Sequence, residues 1–352
     1  MTEANRKIVN VLEPADEYPH EPDAASNYNE SMYLNGFDLA QGLGAWFRLG
    51  NRVNEGYAEM TVCLYLPDGR VGFMYGRPKI DTNMEMRAGG LHIDVVKPFE
   101  HLTINYEGSV VLLDEPAQMA NPREAFRDNP HVKCRVRLDV LGVSPMYGGK
   151  PTYDDGAEIN NDALTSFAKA HYEQHTRVTG SIELHTDTGE VWEMNGLGLR
   201  DKSWGPRFWQ AISWYRWLPM IFDEEFALML SIIGRPDGGD PRRSGMVLEG
   251  NEYHLITDCR VESEFDELHH QMSMRCWARS ETGQEYNITG RVNSLIPLRN
   301  RRTDADGNQL FTRITEAMTT FECPHNGVVK TGMGMTEYLD QVVDGRPIGP
   351  DY

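Results

Sequence analysis

Tyr-Ala-Glu-Met-Thr-Val-Cys-Leu-Tyr-Leu at 57–66, Pro-Asp-Gly-Arg at 67–70 and Val-Gly-Phe-Met-Tyr-Gly-Arg-Pro-Lys-Ile at 71–80 decide the fold. β-Branched and aromatic residues favour strand on both flanks. Pro67-Asp68-Gly69 between them is a turn with a mechanism, because proline presets φ and glycine accepts a positive φ. The stretch therefore reads as strand, turn, strand. The pattern recurs outward. Segments 91–97 and 102–113 continue it, and 177–184 returns through Thr186-Asp187-Thr188-Gly189 as 190–195. Further strands are expected at 226–233, 245–250 with 253–261, 270–278 turning at Glu281-Thr282-Gly283 into 285–293, then 310–322 and 327–338. Short strands at regular spacing predict antiparallel barrels or sandwiches. Only two short helices are expected, at 120–128 and 161–170, and neither is long enough to cross a parallel sheet.

With 352 residues the chain exceeds the usual reach of one hydrophobic core, so two β domains are expected. Residues 1–42, polar and carrying Pro14, Pro19 and Pro22, predict an extended arm laid on the surface. A Gly/Asp/Asn-rich stretch over 148–161 sets the expected boundary, giving an N-terminal domain at 43–172 and a C-terminal one at 173–352. The net charge of −19 opposes nucleic-acid phosphates and anionic membrane surfaces as partners. No apolar run is long enough for membrane insertion. Cys63, Cys134, Cys259, Cys276 and Cys323 are scattered and never at CxxC spacing, which opposes a disulfide framework or a thiolate zinc site. A reducing cytoplasm is the expected setting, and a homodimer is allowed. Gly-Met-Gly-Met at 332–335 reads as close backbone approach within a strand.

The candidate site lies in 196–217. Four of the seven tryptophans (Trp204, Trp209, Trp214, Trp217) fall there, beside Tyr215 and among Arg200, Asp201, Lys202, Arg207 and Arg216. Aromatic walls with a few aimed polar groups suit a pocket for a largely apolar ligand. Gly205-Pro206 is expected to bend the chain and present the preceding side chains. Arg200 and Lys202 would hold Asp201 ionised, whereas apolar walls would raise its pKa and make it a proton donor. The same charges could also form a purely structural clamp. His171, Glu173 and His175 alternate, so in a strand they share one face, as a pocket edge, an acid–base cluster or metal ligands. No spacing supplies a closed metal geometry.

Glu173-Gln174-His175-Thr176-Arg177-Val178-Thr179-Gly180, followed by Gly198-Leu199-Arg200-Asp201-Lys202-Ser203-Trp204-Gly205-Pro206-Arg207, resembles the lipocalin-like double-barrel superfamily. That group includes hydroxyneurosporene synthase, AttH-type proteins and fungal Diels–Alderases. Trp46-Phe47-Arg48-Leu49-Gly50-Asn51-Arg52 and Leu66-Pro67-Asp68-Gly69-Arg70 carry the likeness into the first half, and it spans roughly 43–345. The resemblance implies two tandem calycin-type β domains with a ligand cavity in or between them. It also implies action on hydrophobic polyenes and terpenoids without a metal or organic cofactor. Lys202 departs from the pattern, where a histidine is common.

The expected function is acid-initiated hydration, isomerisation or cyclisation of an isoprenoid-, terpenoid- or steroid-like molecule. Asp201, Lys202, His171 and Glu173 are the expected catalytic groups. Arg200, Trp204, Arg207, Trp209, Trp214, Tyr215, Trp217 and His175 are the expected substrate contacts. No metal or cofactor is expected. The alternative is a carrier or sensor that binds a lipophilic metabolite without turnover.

Overall fold

The computed structural model describes residues 7–157, 159, 168–207, 212–235, 237–303 and 307–350. The chain is all-β, and its strands close into two antiparallel rings. In the first, pairing runs from Ala170–Leu184 to Glu190–Pro206, Tyr28–Asp38, Leu43–Arg52, Tyr57–Tyr65 and Val71–Gly76. It continues through His101–Leu113 and His131–Gly142 back to Ala170–Leu184. In the second, the strands from Trp214–Ile221 to Val328–Val343 pair in chain order, and the last returns to the first. Gly332 and Gly334 lie at that seam, where a Cβ would collide with the carbonyl oxygens of Ile221 and Pro219. The close approach expected of Gly-Met-Gly-Met is therefore what closes the second barrel.

Period-2 alternation sorts each strand into an inward and an outward face. Met32 and Leu34, Phe47 and Leu49, and Val62 and Leu64 fill the first barrel. Leu218, Met220, Leu228, Leu230 and Phe321 fill the second. Each such side chain contributes roughly 1.5–3 kcal/mol by leaving water. A third cluster joins outward faces: Trp46, Cys63 and Phe73 of the first barrel meet Ile296, Met318 and Met333 of the second. The barrels are thus fused along one side. The expected hairpins 57–66/71–80, 177–184/190–195 and 270–278/285–293 form with their turns in place. The helix expected at 120–128 is found at Pro122–Asp128; most of the one expected at 161–170 lies outside the described residues. All five cysteines are buried and free.

Two expectations about the chain's division are corrected. Residues 1–42 are not a surface arm, because Tyr28–Asp38 is a fully buried strand in the middle of the first sheet. It reads as polar because Ser31, Tyr33 and Asn35 occupy its outward face, while Tyr28, Met32 and Leu34 point inward. Residues 173–206, expected to open the C-terminal domain, complete the first barrel, and the sheets part between Pro206 and Trp214. The described part of the Gly/Asp/Asn-rich stretch begins in a strand of the first sheet, Tyr147–Tyr153, and so marks no boundary between the sheets. Among the described residues no helix is long and apolar enough to cross a membrane.

Candidate active site between the barrels

A cavity of about 790 Å³ lies between the two barrels, within the size range of small-molecule sites. Its first wall is the outward face of the first barrel. There, strand register places Glu173, Asp201, Tyr33, Arg48, Thr61 and Tyr75 side by side across six strands. Each of these residues lines the cavity. The facing wall comes from the second barrel, where Ser231, Trp217, Glu337 and Glu316 are cross-strand neighbours. Trp46, Phe73 and Phe126 supply further aromatic lining.

Trp217 ties the walls together. Its indole Nε1 donates to Glu173 Oε1 at 3.0 Å, and its ring meets Tyr33 edge-on at 5.6 Å. Glu173 is 1 % exposed, and among the described residues its Oε2 has no hydrogen-bond partner. Burial, with the adjacent Asp201 charge added, pushes the Glu173 carboxyl up to about 8 against the opposing Trp217 hydrogen bond. Burial also raises Asp201, although His171, Arg207 and Arg48 oppose it. At neutral pH this pair therefore retains a proton. His171 lines the cavity with its side chain 46 % exposed, and its partial desolvation, with Arg207 and Arg242 adding to it, lowers the imidazole against the attraction of Asp201. Arg207 is pushed down to about 10 by burial and by Arg48, remains cationic at neutral pH, and donates to Ser203 Oγ at 2.6 Å. Ser203 in turn meets Ser31 Oγ at 3.0 Å.

Of the expected site residues, His171, Glu173, Asp201, Arg207, Tyr215 and Trp217 gather at this cavity. Arg200 and Lys202 do not. The strand runs on through Gly205 and Pro206 without an earlier bend, still paired with Asn29 and Tyr28. Alternation therefore turns Arg200, Lys202 and Trp204 to the opposite side from Asp201. Arg200 donates to both oxygens of Glu17, at 2.6 and 2.8 Å. Lys202 is 0 % exposed, pairs with Glu30 at 2.7 Å and donates to the carbonyl oxygens of Asp16 and Tyr18. Both cations fasten the N-terminal segment to the barrel and do not hold Asp201. Trp204 stacks on His20 at 4.2 Å, away from the cavity. Trp214 packs against the core of the second barrel beside Arg216, which pairs there with Asp340. His175 shares the face of His171 and Glu173 as expected, but its Nδ1 is engaged by Tyr253 at 2.8 Å away from the cavity. Burial pushes His175 down to about 3. Trp209 lies outside the described residues. Among the described residues no three His, Cys, Asp or Glu side chains gather as metal ligands.

Sequence reading missed Tyr33, Arg48, Glu316 and Glu337. Tyr33 was hidden in the expected arm. The two glutamates did carry a signal, since Ile314-x-Glu316-x-Met318 and Met333-x-Met335-x-Glu337 each place one acid on an otherwise apolar strand face.

The fold and its cleft define a class: tandem antiparallel β-barrels holding a small-molecule-sized, carboxyl-bearing cavity where they meet. The chain belongs to the family described as a domain of unknown function, DUF7064, whose model matches residues 13–342. No curated protein matches it. Among solved structures, an AttH-type protein from Nitrosomonas europaea superposes with a TM-score of 0.55 at 13 % identity, covering 97 % of this chain and 98 % of that one. CghA in complex with Sch210972 gives 0.54 at 11 %, covering 95 % and 98 %. Kievitone hydratase from Nectria haematococca gives 0.57 at 10 %, covering 94 % and 93 %. The chain shares the double-barrel fold of these proteins, as its motifs implied.

Proposed function

We propose that the protein is an enzyme that moves protons on a hydrophobic small molecule of isoprenoid, terpenoid or steroid size. The reaction is hydration, isomerisation or cyclisation, run without a metal or organic cofactor. One observation carries this reading: a buried carboxyl, Glu173, with an oxygen that no described residue bonds, beside Asp201 at the wall of an aromatic-lined cavity. Such a pair holds a proton at neutral pH and can deliver it. The carboxyl O–H breaks and a C–H forms on a substrate double bond. The resulting cation is quenched when water adds and returns its proton to the carboxylate, or when a neighbouring C–H gives one up. Trp217, Tyr33 and Trp46 line the cavity, and aromatic rings there stabilise a developing positive charge. The fold shared with kievitone hydratase supports the reaction class. The five free thiols fit a cytoplasmic setting.

The test is a screen of terpenoid and steroid compounds by thermal shift, followed by product analysis with wild type, Asp201→Asn and Glu173→Gln. The expected result is a product whose formation falls on the order of 10²-fold or more in both variants. Turnover undiminished in both removes the proton-transfer role. A bound compound returned unchanged by wild type identifies a carrier instead.

A further inference from the structure

A second pair of carboxyls faces the first across the cavity. Glu316 and Glu337 are cross-strand neighbours on the strands Gln309–His325 and Val328–Val343, and both line the cavity. Burial, with the Glu337 charge added, raises the Glu316 carboxyl well above its usual range, and burial also raises Glu337, so a proton stays on the pair. Tyr215 donates its phenolic O–H to Glu337 Oε1. Glu316 is 5 % exposed, and among the described residues no donor reaches its buried Oε2. A buried acid on a strand face otherwise made of Ile314 and Met318 has no packing purpose, and desolvating it is costly. Trp217 sets the spacing of the two pairs: it is registered opposite Glu337 on its own barrel and bonds Glu173 on the other.

Resting on the reading of this cavity as an acid–base site, we infer that Glu316 and Glu337 form a second catalytic carboxyl pair. It exchanges protons with the face of the substrate opposite Glu173 and Asp201. A substrate held in the gap then has one proton-sharing pair on each side. For an unsaturated ketone the sequence balances without a co-reactant. The C–H next to the carbonyl breaks and its proton passes to the Glu173–Asp201 pair, while the electron pair moves to the carbonyl oxygen as a dienolate. The Glu316–Glu337 pair then gives its shared proton to the far alkene carbon, forming the new C–H. Water returns a proton to the second pair and removes one from the first.

The probe is the β,γ-unsaturated steroid ketone androst-5-ene-3,17-dione, incubated with the full-length protein in deuterated buffer. Conjugation is followed by absorbance and deuterium content by mass spectrometry. Two walls predict that the wild-type product carries solvent deuterium at the newly formed C–H, because the proton removed is not the one delivered. Glu316→Gln and Glu337→Gln, which keep side-chain volume, are each expected to slow conjugation on the order of 10²-fold. Their residual product should keep a measurable share of the substrate's own hydrogen, since the one remaining pair, already holding a deuteron, then takes and returns it. A merely structural role would leave the isotope content unmoved, and circular dichroism verifies that both variants are folded. Glu316→Gln and Glu337→Gln with wild-type rate and deuterium content, while Asp201→Asn is impaired, overturn this inference alone. A wild type inert towards the probe overturns both it and the acid–base reading beneath it.

Discussion

Replacing Glu173 by glutamine should stabilise the ligand-free protein at alkaline pH and do little in acid. The folded protein keeps on Glu173 a proton that the unfolded chain gives up at the usual glutamate value of 4.5, because burial moves the carboxyl to about 8. Between those values the folded state binds more protons than the unfolded state, so stability falls as pH rises. The contribution is fully present below 4.5 and is lost as pH climbs through about 8. From about pH 5 to about pH 8 the loss integrates to roughly 3 kcal/mol. Glutamine removes this titration, while its side-chain oxygen still accepts the indole N–H of Trp217. The assay is urea denaturation of wild type and variant across that range, read as the difference between them. Taking the difference cancels His171 and His175, which both proteins share. The advantage of Glu173→Gln should widen by about 3 kcal/mol, reduced somewhat because Asp201 titrates more easily once its charged neighbour is gone. A gap that stays constant to within about 0.5 kcal/mol would show that Glu173 ionises normally, and the proton-donor argument would fall with it.

Two further changes test the frame around the site. Lys202→Met should destabilise the protein by about 3–5 kcal/mol, because it takes the ammonium from the fully buried Glu30, which keeps only its contacts with His20, Tyr28 and Asn83, and leaves the Asp16 and Tyr18 carbonyls without their donor; adding Glu30→Gln should restore part of the loss in the same urea assay. Gly334→Ala should prevent closure of the second barrel, since the new methyl group meets the Pro219 carbonyl; it is checked by loss of cooperative unfolding and exposure of Trp217 fluorescence.

Much of the architecture was legible locally. The Pro67-Asp68-Gly69 turn and its flanking strands form as read, as do the other hairpins, because alternation and turn chemistry depend only on neighbours in the chain. The strand Tyr28–Asp38 was not legible, because its outward face turns Ser31 and Tyr33 to the cavity and so lacks the apolar signal of a buried strand. The cluster at 196–217 was read as one site, and alternation divides it in two. Asp201 faces the cavity, whereas Arg200 and Lys202 on either side face the N-terminal segment. Adjacency in sequence is separation across a sheet.

The amino-acid order alone therefore determined strand, turn and hairpin, since those properties are set over a few residues; it left barrel or sandwich open, and the double barrel was implied by the resemblance of its motifs. Only the folded arrangement decided which acids meet. Glu173 reaches Asp201 through strand pairing, Glu316 reaches Glu337 in the same way, and the two pairs face one cavity because the barrels fuse along their apolar flanks. A carboxyl's proton affinity is set by the water it loses and the charges it meets, and both depend on contacts between distant parts of the chain.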